Sequence, residues 1–125
     1  QYSAIEVMPE VFINGKFTLG ENIGDLGGVN AAYDGLQMWL DEKGRPEDDI
    51  DGYTQEQRFF ISWATVWRTK MRDEALQQRI KGDTHSPGMY RGYVPLQNIQ
   101  AFYDAFDIKE GDKRYVAPED RVIIW

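Results

Sequence analysis

Three glycines inside one amphipathic stretch restrict this chain more than any other feature in it. Residues 20–28 read Gly-Glu-Asn-Ile-Gly-Asp-Leu-Gly-Gly, and Ile23, Leu26, Tyr33, Leu36 and Leu40 recur at helical spacing. That periodicity predicts a helix over 21–40. Glycine inside a helix costs about 1 kcal/mol relative to alanine, so Gly24, Gly27 and Gly28 together cost about 3 kcal/mol. Close approach of another backbone is the expected compensation. Glu21, Asp25 and Gly28 lie at i, i+4 and i+7 and share one face. Two carboxylates beside a bare strip of backbone suit a metal site between closely packed helices, with Glu21 as ligand and Asp25 fixing a partner ligand from behind. Thr18 and Glu21 also have capping-box spacing. On that reading Glu21 folds back onto Thr18, and Asp25 is a solvated acid near the positive end of the helix. The residues alone leave both readings open.

The rest of the pattern predicts a mainly α fold with minor β. Val11-Phe12-Ile13, Asn14-Gly15 and Lys16-Phe17-Thr18 read as a short N-terminal β-hairpin, because Asn-Gly tolerates the positive φ of a two-residue turn. Residues 54–72 read as a second helix, with Thr54 and Gln57 at capping-box spacing. Its apolar residues lie on nearly every side, which predicts burial. A third helix is expected over 73–81, a Gly/Pro-marked loop over 83–95 and a fourth helix over 96–106. The apolar end, 122–125, is expected to be pinned to the body as an edge strand. Glu47, Asp49, Asp51 and Gly52 imitate the first half of a calcium loop. The closing position is Arg58, which cannot ligate calcium, so the stretch reads as a solvated acidic loop.

Composition removes several function classes. The 125 residues are 42% hydrophobic and 14% aromatic, enough for a packed core. The formal net charge of −7, with no basic run, disfavours nucleic acid, whose phosphates need a basic face. Without cysteine there are no disulfides, thiol nucleophiles or cysteine-based zinc sites. No stretch is long and apolar enough to span a bilayer. The chain begins at Gln1 with no signal peptide, and reads as a piece whose targeting segment lies upstream.

The only histidine, His85, lies in Asp83-Thr84-His85-Ser86-Pro87-Gly88, with Arg91 six residues on. By itself such a loop histidine reads as a solvated surface residue. Together with Asn14-Gly15 and Thr18-Leu19-Gly20-Glu21-Asn22-Ile23-Gly24-Asp25-Leu26-Gly27-Gly28, however, it resembles the neprilysin and endothelin-converting-enzyme family of zinc metallopeptidases. Gly24 stands where the family usually has alanine. The resemblance runs from about Asn14 onward and implies the helical C-terminal part of a thermolysin-like zincin catalytic domain. It implies that Glu21 is the third zinc ligand and that Asp25 holds a ligand histidine through its ring N–H. His85 then stabilises the oxyanion of the tetrahedral intermediate, oriented by Asp83, and Arg91 binds a substrate backbone carbonyl. Val66 and Trp67 resemble the pair lining the pocket for the side chain after the scissile bond. Trp125 resembles the family's terminal tryptophan. Vertebrate members carry cysteines where Arg68, Ile108 and Val122 stand, so the resemblance points to a bacterial-type member.

The same resemblance defines what this chain lacks. A catalytic zinc takes three protein ligands and an open position for water. The family's other two ligands and its general base come from an upstream H-E-x-x-H helix that does not occur here. The expected protein is a zinc endopeptidase acting on oligopeptides. The isolated chain is expected to be inactive without the upstream H-E-x-x-H part as partner. Any membrane contact would run through segments outside this chain, in a periplasmic, secreted or membrane-anchored extracellular enzyme, with the bacterial cytoplasm as a further option. Two other readings compete. One is a non-catalytic helical interaction module. The other is a stand-alone metal site built from Glu21, Asp25 and His85.

Overall fold

The structure is a computed structural model and describes residues 1–124. The mainly helical expectation holds. A two-stranded antiparallel sheet, β1 (Glu6–Met8) and β2 (Val11–Phe12), precedes five helices: α1 (Leu19–Lys43), α2 (Gln55–Val66), α3 (Asp73–Gly82), α4 (Gly88–Tyr93) and α5 (Gln100–Phe106).

The expected pairing of 11–13 with 16–18 does not form; residues 16–18 lie in a turn, and the N-terminal hairpin instead pairs 6–8 with 11–12 around Pro9-Glu10, with Met8 opposite Val11. Proline suits the first corner of a tight turn, and Glu10 takes the left-handed φ of 62° at the second. Asn14 does other work. Its side-chain oxygen accepts from the Phe17 N–H at 3.1 Å and its carbonyl from the Thr18 N–H at 3.0 Å. This Asx-type turn feeds the chain into α1. Gly15 is required there because a Cβ would sit 2.6 Å from the Ser3 hydroxyl and 2.8 Å from the Ser3 nitrogen.

Leu26 and Val29 of α1, Phe60 of α2, and Leu96 and Ile99 before α5 form the buried core. Phe60 stacks on Tyr33 at 5.4 Å and meets Phe102 edge-on at 5.4 Å. The second helix is shorter and less buried than its composition suggests. It stops at Val66, and Ile61 and Val66 remain exposed. Its start follows the sequence. The Thr54 hydroxyl accepts from the Gln57 N–H, and the Gln57 amide oxygen accepts from the Thr54 N–H. Gln57 also donates to the Ala105 carbonyl at 2.9 Å, tying the helix start to α5. Thr54→Ala is therefore expected to destabilise the complete protein by about 1 kcal/mol, read as a lower urea midpoint.

Three further expectations change. The 83–95 loop contains α4, so its Gly/Pro content punctuates a short helix instead of preventing one. The predicted helix over 96–106 breaks into a 3-10 turn, Leu96–Asn98, and α5. Asn98 causes the break. Its amide donates to the Val94 carbonyl at 2.9 Å and its oxygen accepts from the Val122 N–H at 2.8 Å, so its side chain competes with regular helix bonding. That second bond pins the tail, but residues 122–124 form no strand. The terminal Trp125 lies outside the described residues. The acidic loop is solvent-exposed from 45 to 52, as expected.

Candidate catalytic half-site

The site forms where the first turns of α1 meet the segment between α3 and α4. Thr18 decides how Glu21 is used. Its hydroxyl donates to the Asn14 carbonyl at 3.3 Å and accepts from the Asn22 amide at 2.9 Å. No side-chain capping bond forms at the start of α1, so the capping-box reading is overturned. Glu21 points outward instead, and its carboxylate lies 2.9 Å from His85 Nε2.

A buried polar chain sets this meeting. The Ser86 hydroxyl, fully buried, donates to the Asn22 amide oxygen at 2.7 Å. Asn22 passes the connection to Thr18. Inside a protein such a chain rigidifies when each member is satisfied. It locks the residue after His85 to the residue after Glu21. Sequence reasoning placed Ser86 in its motif but assigned no role to it or to Asn22.

His85 is gripped from its other side by Asp83. One carboxylate oxygen accepts from the His85 backbone N–H at 2.8 Å and contacts His85 Nδ1 at 2.8 Å. The second lies 3.1 Å from the Arg79 guanidinium. These bonds from His85, with help from the Arg79 charge, hold the Asp83 carboxyl below its ordinary pKa. The contact matches the expectation that Asp83 orients His85.

Asp25 and Arg91 find each other. Arg91 donates from Nε and Nη2 to the two Asp25 oxygens, both at 2.7 Å, with side chains only 13% and 7% exposed. The Asp25 hydrogen bonds raise the Arg91 pKa further against the opposing effect of burial. Asp25 is thus not the solvated acid of the capping reading. Because it turns to Arg91, Glu21, Asp25 and His85 do not gather as a stand-alone metal site. Among the described residues no group of three His, Cys, Asp or Glu side chains could hold a metal ion. Tyr2 is a residue the sequence reading missed. Its buried hydroxyl has no partner among the described residues, and burial, then the Asp25 charge, push its pKa upward.

The two aromatic-helix residues separate. Val66 is exposed at the end of α2, whereas Trp67 lies beneath Arg91, with the guanidinium carbon 3.8 Å from the ring centroid. Both also border a cavity of about 490 Å³ shared with Met71, Leu76, Pro87 and Met89. The glycine strip behaves unexpectedly. A Cβ at Gly24 or Gly28 would meet nothing within 4 Å, so the expected close backbone is absent among the described residues.

The sequence model of Peptidase family M13 matches residues 1–122. A neutral endopeptidase of Lactococcus lactis subsp. cremoris is 43% identical over 112 residues, covering 90% of this chain and 16% of that protein. Human membrane metallo-endopeptidase-like 1 is 41% identical over 122 residues, covering 96% of this chain and 15% of the relative. The solved structure of the zinc metalloprotease Zmp1 of Mycobacterium tuberculosis in complex with inhibitor superposes with a TM-score of 0.92 at 42% identity, over 99% of this chain and 20% of that one. The chain therefore spans a fifth or less of the length of these relatives.

Proposed function

The chain belongs to peptidase family M13, and on that premise we propose that it supplies one zinc ligand and the oxyanion- and substrate-binding groups of an endopeptidase that hydrolyses oligopeptides. The observation that carries this reading is the direction of Glu21. Its carboxylate leaves its own helix start and stands half-exposed beside His85 Nε2. A carboxylate oxygen is an ordinary zinc donor, so Glu21 fits the metal as one ligand of a set. The remaining donors belong to the H-E-x-x-H part of the complete protein. Zinc, when bound, supplies a Lewis acid and lowers the pKa of a water molecule.

His85 and Arg91 provide what this chain can do around that center. Asp83 occupies His85 Nδ1 and so aims Nε2 at the edge of the Glu21 carboxylate. A ring nitrogen held there is placed to donate to negative charge developing on a substrate oxygen. Arg91 has five N–H donors, and Asp25 takes two of them. Three remain for a peptide carbonyl. The cavity beside Val66 and Trp67 receives the side chain that follows the scissile bond.

Among the described residues no helix is long and apolar enough to cross a membrane. Membrane attachment, where it occurs, runs through other segments of the complete protein. The test is to produce the complete protein with its H-E-x-x-H segment. The expected result is one bound zinc and cleavage of a short unstructured peptide that stops with chelator and returns with added zinc. A zinc-free, inactive complete protein would favour the helical interaction module.

A further inference from the structure

We propose that Trp63 and Trp67 are positioning residues for Arg91, holding its guanidinium in a single orientation from which its free N–H groups meet the substrate. This inference rests on the reading of Arg91 as a substrate-binding group.

The bidentate bond to Asp25 fixes one edge of the guanidinium plane. It leaves the plane free to tilt about that edge. Trp67 removes the freedom, because its ring lies against the guanidinium face at 3.8 Å. A cation over an indole face gains electrostatic attraction that grows as water is excluded, and Arg91 is only 13% exposed. One contact on an edge and one on a face leave the remaining N–H directions set.

Trp63 secures the backbone from which that side chain departs. The Arg91 carbonyl lies near the end of α4, where a continuing helix would offer it the N–H of residue 95. Residue 95 is proline, which has none. Trp63 Nε1 donates to this carbonyl at 3.0 Å, replacing the missing bond. The two indoles also contact each other edge-to-face at 5.7 Å. The start of α4 approaches them closely. A Cβ at Gly88 would come within 3.0 Å of the Trp67 carbonyl and 2.7 Å of the Thr69 hydroxyl. Trp67 is thus committed to Arg91 on one face while its surroundings border the side-chain cavity.

The two roles of Trp67 separate by experiment in the complete zinc-loaded enzyme. Two peptides are compared that differ only in the residue after the scissile bond, leucine or alanine. kcat and KM are measured for Trp67→Leu, Trp67→Phe, Trp63→Phe, Arg91→Met and the Trp67→Leu/Arg91→Met pair. Trp67→Leu is expected to lower kcat/KM about tenfold for the alanine peptide and at least as much for the leucine peptide, because the lost cation–π contact acts on the backbone-binding group whichever side chain follows the scissile bond. Trp67→Phe is expected to recover most of that loss, since a phenyl face remains. In the Arg91→Met background, Trp67→Leu should add less than about twofold, the non-additivity expected of residues acting as a unit. A loss confined to the leucine peptide, or one undiminished in the Arg91→Met background, would show Trp67 to be only a pocket wall and overturn the proposal. Should Trp67→Leu not fold, Trp63→Phe and the Trp63→Phe/Arg91→Met pair take its place: a loss on both peptides that shrinks below about twofold in the Arg91→Met background supports the proposal, and a loss undiminished there overturns it. Full activity of Arg91→Met alone would instead sink the underlying reading of Arg91.

Discussion

Glu21→Ala in the complete protein is expected to abolish stoichiometric zinc and to lower peptide cleavage by about a thousandfold or more, while leaving the metal-free protein folded. On the proposed ligand set the change leaves two protein donors of three, and even groups that only orient a ligand contribute about 10–100-fold to metal affinity. The fold should tolerate the change. The Glu21 side chain is 45% exposed and makes no capping bond at the start of α1. Glu21→Gln provides the control, since it keeps the shape and the contact with His85 but replaces an ionised donor with a neutral one. It is expected to bind zinc more weakly than the native protein. Metal content by elemental analysis and turnover on one peptide decide the matter. Stoichiometric zinc and native turnover in Glu21→Ala would remove Glu21 from the ligand set.

The residues themselves show why some of this was legible in sequence and some was not. Glu21 sits at a spacing that serves a cap or a ligand equally well, and sequence cannot choose. The cap is excluded at Thr18, whose hydroxyl is already committed to Asn14 and Asn22. That commitment depends in turn on Ser86, 64 positions away from Asn22. Long-range partners of this kind leave no periodic trace. Local patterns fared better where the neighbours in sequence were also the neighbours in space. The Thr54–Gln57 cap formed as read, and the third helix, expected over 73–81, runs Asp73–Gly82. Asn14-Gly15 misled because an Asx-type turn into a helix and a hairpin turn favour the same residues. Asn98 broke a helix that its neighbours support, since its amide found partners at Val94 and Val122. The cost of Gly24 and Gly28 has no compensation among the described residues.

Asp25→Ala is expected to be the most destabilising single change at this site, by about 3–5 kcal/mol, because it strands a buried guanidinium without its counter-charge. Arg91 is 13% exposed, and its Nε and Nη2 donors both lose their acceptor. Adding Arg91→Met to Asp25→Ala should return much of that stability, since two apolar side chains leave no unpaired charge. Denaturant unfolding of the single and double variants measures the difference, and equal stability of the two would show that Arg91 is not the cause. The same variants separate two roles of one carboxylate. A carboxylate has about four lone-pair positions, and Arg91 takes only two of them. The others can accept from the ring N–H of a zinc-bound histidine in the complete protein. If Asp25 does both, Asp25→Ala lowers zinc affinity by about 10–100-fold and Arg91→Met does not. If Asp25 serves Arg91 alone, zinc affinity stays native in both variants and only substrate binding falls.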